Sequence, residues 1–274
     1  MIPKDFITEW REQAPWISDH QVEQDLVISR AIVEIFNVVR LDSRLAFRGG
    51  TALYKLHLRP AARYSEDIDL VQVVPEPIGD TFSAIRKVLD PWLGEPRRVL
   101  KEGRVNLVYR FSSEDQPPKP LRLKIEINSR EHFSVLGLTQ RQFEVSSRWW
   151  SGKTEVTTFG LDELLATKLR ALYQRKKGRD LFDLWTASRR LNVNLEQLVN
   201  CFLRYLENDG LRVSRAEFES NIHDKFSDPV FLRDIGPLLA SGTEWDQAAA
   251  ASFALTKLAP LIPGEAWKGA GEAR

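Results

Sequence analysis

Cysteine is almost missing from this chain: Cys201 stands alone among 274 residues, in an apolar stretch of helical pattern. One thiol excludes an intrachain disulfide framework and any zinc site built on cysteines, and it fits a reducing compartment. Long hydrophobic runs are missing as well. No stretch of roughly 18 apolar residues occurs, and the opening Met1-Ile-Pro-Lys-Asp carries no apolar core of a secretion signal. The expectation is a cytoplasmic protein with no membrane partner. Net charge is close to absent, with 39 Lys and Arg against 38 Asp and Glu, a formal +1. A uniformly basic nucleic-acid binder is thereby excluded, and any polyanion contact must come from a local patch. Internal repeats are absent too.

What is present is the composition of a folded globular protein, 43% hydrophobic and 28% charged. Two short stretches carry chemistry. Phe47-Arg-Gly-Gly-Thr-Ala-Leu53 ends a short apolar strand, Leu45 to Arg48, and opens a helical pattern, so Gly49 and Gly50 leave bare amides before a helix start where an anion is favoured. Arg63-Tyr-Ser-Glu-Asp-Ile-Asp-Leu-Val71 follows. In a strand its Asp67 and Asp69 point to one face while Ile68, Leu70 and Val71 supply apolar burial. Carboxylates so placed repel unless a cation joins them, and Mg²⁺ takes such oxygens and bridges to phosphates.

Gly-Gly-Thr-x-Leu followed by Arg-x-Ser-x-Asp-x-Asp-Leu resembles the polymerase-beta-like nucleotidyltransferases, most closely the AbiEii/MenT toxin family of bacterial toxin–antitoxin systems. The resemblance implies that Gly49, Gly50, Thr51 and Ser65 hold the triphosphate and that Asp67 and Asp69 hold the metal. It also implies a third carboxylate on a later strand. In Leu121-Arg-Leu-Lys-Ile-Glu-Ile-Asn128 the alternation puts Arg122, Lys124, Glu126 and Asn128 on one face, so Glu126 is the candidate, either as metal ligand or as the partner of Lys124 in an ion pair.

The predicted elements are an amphipathic helix from the capping box Ser18-Asp-His-Gln21 to Val39, a helix over Ile78 to Leu93, and strands at Arg98–Leu100, Val105–Phe111 and Leu121–Ile127. Residues 129 to 158 read as loops and short strands that finish the sheet; within them Trp149 and Trp150 either stack a base or pack in the core. After Phe159-Gly160 the pattern is helical throughout: Leu161–Gln174, Asp180–Arg190, Asn194–Asn208, Ser214–Lys225, Pro229–Leu239 and Glu244–Leu258, with a frayed tail from Pro263. The expected architecture is α+β: a polymerase-beta-like nucleotidyltransferase domain with a mixed sheet over 1–160, then a helical bundle over 161–274.

Thr167-Lys-Leu-Arg-Ala-Leu-Tyr-Gln-Arg-Lys-Lys-Gly-Arg-Asp-Leu-Phe-Asp-Leu184 is the second constellation. The family carries a lysine, then an arginine, then Arg-Asp-x-x-Asp opening the next helix; the matching residues are Lys168, Arg175, Arg179, Asp180 and Asp183. By that resemblance Lys168 neutralises triphosphate charge, Arg179 binds nucleotide and Asp183 orients Lys168 or a substrate hydroxyl. Asp180 reads alternatively as a helix cap. Arg175, Lys176 and Lys177 form the local basic patch for nucleic acid.

The resulting expectation is an enzyme that transfers NMP from an NTP, with Mg²⁺, to the 3′ end of tRNA, blocks aminoacylation and answers to a cognate antitoxin. The same chemistry on a protein or aminoglycoside hydroxyl, or a nucleotide-binding module without turnover, are the alternatives.

Overall fold

The computed structural model describes residues 2–39, 41–101 and 103–269. They divide into two compact units, Met1–Phe159 and Gly160–Arg274.

The first unit is built on one mixed sheet. Helices α1 (Lys4–Trp10) and α2 (Asp19–Phe36) precede strand β1 (Leu45–Arg48). A helical segment follows at once, α3 (Gly49–Ala52) continued as a π-helical turn through Leu53–His57, and then β2 (Asp67–Gln72). Helix α4 (Gly79–Leu93) leads to β3 (Arg97–Lys101), β4 (Arg104–Ser112), β5 (Pro120–Asn128), β6 (Leu138–Ser146) and β7 (Ser151–Phe159). The strand order is β3-β4-β5-β2-β1-β7-β6. At its centre β1 runs antiparallel to β2, with Arg48 opposite Asp69, while β2 runs parallel to β5, with Asp67 opposite Lys124 and Asp69 opposite Glu126.

Helix α2 explains why this sheet is stable. Val22, Leu26, Ile28, Ile32 and Ile35 are fully buried, and the predicted capping box at Ser18 and Gln21 closes its N-terminus. One expectation needs correction and one element is new. Residues 129 to 158 hold a long hairpin of two nine-residue strands, β6 and β7, rather than short pieces. Helix α1 was not anticipated; it is held where the indole of Trp10 donates to Asp25 on α2 at 2.9 Å. Trp149 and Trp150 are taken up by the fold: the Arg30 guanidinium carbon lies 4.9 Å and 5.6 Å from their ring centres, and 4.0 Å from that of Trp92.

The second unit is helical: α5 (Leu161–Gln174), α6 (Gly178–Arg190), α7 (Leu195–Asn208), α8 (Arg215–Phe226), α9 (Pro229–Arg233) and α10 (Gln247–Phe253). Asn194 and Ser214 cap α7 and α8 as their spacing predicts. The helix expected over Pro229–Leu239 stops at Arg233, because Gly236-Pro237 turns into a single 3₁₀ turn. The one expected from Glu244 begins at Gln247, after Asp246 as its cap, and passes into a π-helical turn at Ala254–Leu258. Nor is the segment after Pro263 frayed as expected. The Pro263 carbonyl accepts from the Arg215 amide at 2.8 Å, and the Trp267 amide donates to Glu219 at 2.7 Å; residues 270–274 lie outside the described residues.

Candidate active site

The glycine turn is shaped by what lies behind it. Gly49 has φ +84°, a left-handed conformation that side chains resist, and a Cβ there would overlap the Asp69 carboxylate. A Cβ on Gly50 would press on the Arg63 guanidinium and come 2.9 Å from Ser65 Oγ. Both glycines thus allow a polar side chain to approach the main chain. Thr51 is buried, and its hydroxyl donates to the Asp67 carbonyl at 2.6 Å and shares a 2.9 Å hydrogen bond with Ser65 Oγ. That one hydroxyl ties the turn to the start of the acidic strand.

On β2 the pleat buries Ile68 and Leu70 and leaves Asp67 and Asp69 half-buried on the opposite face. The parallel pairing with β5 brings Lys124 and Glu126 onto that face. Lys124 Nζ lies 2.9 Å from Glu126 Oε2 and 3.4 Å from Asp67 Oδ2, and Arg104 Nη1 lies 3.2 Å from Glu126 Oε1. Asp67 Oδ1 is buried with no hydrogen-bond partner. Burial, then the charge of Asp69, pushes the Asp67 carboxyl up to about 6 against the opposing pull of Lys124. Burial alone would raise Glu126, but Lys124, then Arg104 and Arg48, outweigh it and hold that carboxyl below its ordinary range. Lys124 itself is raised: burial opposes its charge, and Asp67 and Glu126 more than offset this.

Asp67, Asp69 and Glu126 thus share one face, where Lys124 contacts both Asp67 and Glu126 and Arg104 adds a second cation to Glu126. Among the described residues no three His, Cys, Asp or Glu side chains cluster as a metal cage. Two carboxylates suffice for the mode in which Mg²⁺ takes few protein oxygens and completes its shell with water and phosphate, and the unpartnered Asp67 oxygen fits that demand.

In the second unit, Lys168 on α5 is nearly buried and reaches two carboxylates of α6 that are fully buried, Asp183 at 3.0 Å and Asp180 at 3.4 Å. Asp180 does not serve as the helix cap. It accepts a two-pronged contact from Arg175, Nε at 2.8 Å and Nη2 at 3.0 Å, so one carboxylate holds two cations. Gly178 opens the helix where a Cβ would overlap the Phe231 carbonyl. The basic run is dispersed: Lys176 pairs with Asp228 at 3.2 Å, Lys177 with Asp234 at 3.4 Å, and the Arg179 amide donates to Asp234 at 3.2 Å.

Of the residues singled out in the sequence, the first unit gathers Gly49, Gly50, Thr51, Ser65, Asp67, Asp69 and Glu126 around β2, and the second gathers Lys168, Asp183 and Arg175 around Asp180. Lys176 and Lys177 stand apart from the Lys168 group, each on its own acidic partner. The ion pair of Lys124 with Glu126 is the one the strand alternation offered, and what was not expected is that Lys124 also reaches Asp67.

Residues 30–252 match the family model described as nucleotidyl transferase AbiEii toxin, type IV TA system. Among solved structures, the nucleotidyltransferase toxin MenT4 (Rv2826c) of Mycobacterium tuberculosis H37Rv superposes with a TM-score of 0.62 at 16% identity, over 95% of this chain and 90% of its own. JHP933 of Helicobacter pylori gives 0.56 at 19%, over 89% and 92%. A putative nucleotidyltransferase from H. pylori gives 0.55 at 18%, over 90% and 96%. At such identities the likeness is one of fold. No curated protein matches the sequence.

Proposed function

The chain belongs to the AbiEii family of nucleotidyltransferase toxins of type IV toxin–antitoxin systems, and from that membership we propose that it transfers the NMP moiety of an NTP, with Mg²⁺, to the 3′ end of tRNA. A tRNA so extended cannot be aminoacylated, and translation stops. Membership also implies a separately encoded antitoxin as partner.

The observation that carries this reading is the acidic face of β2, where the Asp67 oxygen is buried without a partner and its carboxyl stands at about 6. Such a group calls for a cation. Asp67 and Asp69 would hold the metal, which supplies positive charge to the triphosphate and lowers the cost of in-line displacement at the α-phosphorus. The amides of Gly49 and Gly50 bind phosphate oxygens, and Thr51 and Ser65 fix the turn that presents them. On the second unit Lys168, held by Asp183, would neutralise negative charge on the triphosphate, the role the family resemblance gives it. Arg179 contributes to nucleotide binding. Glu126 would serve as a third ligand only with its ion pairs to Lys124 and Arg104 broken. Arg175, Lys176 and Lys177 contribute to RNA docking.

A second reading draws on the pairing of Lys176 and Lys177 with Asp228 and Asp234, which spends much of the local positive field. It keeps the chemistry and moves it to a protein or small-molecule hydroxyl. Incubation with each α-labelled NTP, Mg²⁺ and total tRNA tests the first reading. Label at the 3′ end of tRNA supports it; label on protein or small molecule only, with tRNA unlabelled, replaces it with the second.

A further inference from the structure

Behind the glycine turn the first unit forms a partly open cavity of about 210 Å³. Thr51, Arg63 and Ser65 line it, and Arg63 and Ser65 are the side chains against which Gly50 rests. The rear of the proposed phosphate turn and one wall of the cavity are thus the same residues.

The interior is aromatic and electrically balanced. Trp10, Trp16, Tyr54 and Phe143 form its apolar walls. At its base Asp25, nearly fully buried, accepts from the indole of Trp10 at 2.9 Å, the indole of Trp16 at 3.2 Å and the ammonium of Lys55 at 2.6 Å. Lys55 also donates to Ser29 Oγ at 2.9 Å. A carboxylate with three donors is satisfied, and the pair cancels its own charge, so the walls are held apart by a fixed polar scaffold rather than by a waiting anion site. Two guanidiniums lie against rings, Arg59 at 5.6 Å from Phe143 and Arg63 at 5.2 Å from Tyr54. Gln13 and Glu144 place an amide and a carboxylate at the exposed rim.

A pocket for a whole ligand runs to roughly 300–1,000 Å³, so this one takes part of a ligand. Its chemistry suits a flat, uncharged group with polar edges: rings and guanidiniums for the faces, amide and carboxylate for the edge. We propose that this cavity receives a nucleobase. The proposal rests on the nucleotidyltransferase reading above. The base belongs either to the NTP or to the terminal nucleotide of the RNA acceptor.

Photo-crosslinking tests it, with one arm using NTPs that carry photoreactive bases and the other an RNA with a photoreactive 3′-terminal base, each followed by peptide mapping of the full chain. Adducts within residues 10–16, 54–65 or 143–144 are expected, and the arm that gives them identifies the source. The double variant Gln13→Ala/Glu144→Gln, altered only at the exposed rim, should also change discrimination between bases in that arm by about tenfold. Bound NTP and RNA with all adducts elsewhere and unchanged discrimination overturn the cavity assignment alone. Absence of any NTP binding overturns the transfer reading together with it.

Discussion

The ammonium of Lys124 lies 3.4 Å from Asp67 and 2.9 Å from Glu126, on the face where the sequence motif calls for a divalent cation. A tethered monovalent charge thus partly compensates carboxylates that a metal would bind. A metal bound by Asp67 would compete with Lys124 for it. Lys124→Met should therefore tighten binding of Mn²⁺, followed by electron paramagnetic resonance, by about tenfold, the order expected from removing one nearby positive charge. Unchanged or weaker affinity would show that Lys124 supports the metal site rather than opposing it.

Asp67 should reveal itself through pH. Its carboxyl is raised from 3.8 to about 6, so between those values the folded chain keeps a proton that the unfolded chain has released. The stabilisation from that proton is complete below about pH 4 and lost as pH rises through about 6. Asn at this position removes the dependence. With chelator present, Asp67→Asn should match the wild type near pH 4 and exceed its melting temperature by a few degrees at pH 8. Transfer should fall by on the order of 10³-fold. A calorimetric difference that does not grow with pH contradicts the assignment.

Lys168 is held between Asp180 and Asp183, and its proposed role at the triphosphate is separable from a purely structural one. Lys168→Met should lower kcat by about 10²- to 10³-fold with a much smaller change in NTP affinity, and arginine should rescue poorly because its planar fork does not fit between the same two carboxylates. Single-turnover rates and equilibrium binding separate the effects. Equal losses in both would make Lys168 a ground-state phosphate ligand.

Gly49→Ala should cost more than about 1 kcal/mol of stability from the left-handed backbone alone, and it should also displace the Asp69 carboxylate that the new methyl would meet. Denaturant titration reads the first effect, metal affinity the second. A variant with wild-type values in both would mean that the turn relaxes without disturbing β2.

Lys176 and Lys177 are exposed lysines on more buried aspartates, and an exposed ammonium of this kind can exchange one anionic partner for another. If they meet RNA phosphates, neutralising both should flatten the log–log salt dependence of tRNA binding by roughly one to two units. An unchanged slope and affinity would favour the protein or small-molecule acceptor.

The glycine turn and the acidic strand were legible because their signals are local: a Gly-Gly pair at a strand end, and carboxylates alternating with buried Ile68 and Leu70. The same alternation placed Lys124 and Glu126 on one face and left their roles open. Of the tertiary partners, Lys168 with Asp183 and Lys124 with Glu126 were among the readings, and the others were not legible. Nothing near Lys176 announces Asp228, and nothing near Arg175 shows that it would share Asp180 with Lys168. The hairpin of β6 and β7 was hidden because β6 is an edge strand, with only Phe143 and Val145 of its residues buried, so its pattern reads as polar. Helix α1 is too short for periodicity to reveal, and its position depends on Asp25 fifteen residues away.

The rung that sets Arg48 opposite Asp69 determines how far the glycine turn stands from the carboxylates. Spacing between the two halves of the motif is thus fixed by strand pairing and by the Thr51 hydroxyl, not by the number of residues in the chain that joins them. Arg59, Pro60 and Ala61, in the stretch that joins the two halves, line the cavity behind the turn. Because Arg63 and Ser65 belong both to that cavity and to the back of the turn, a change made in one is felt in the other.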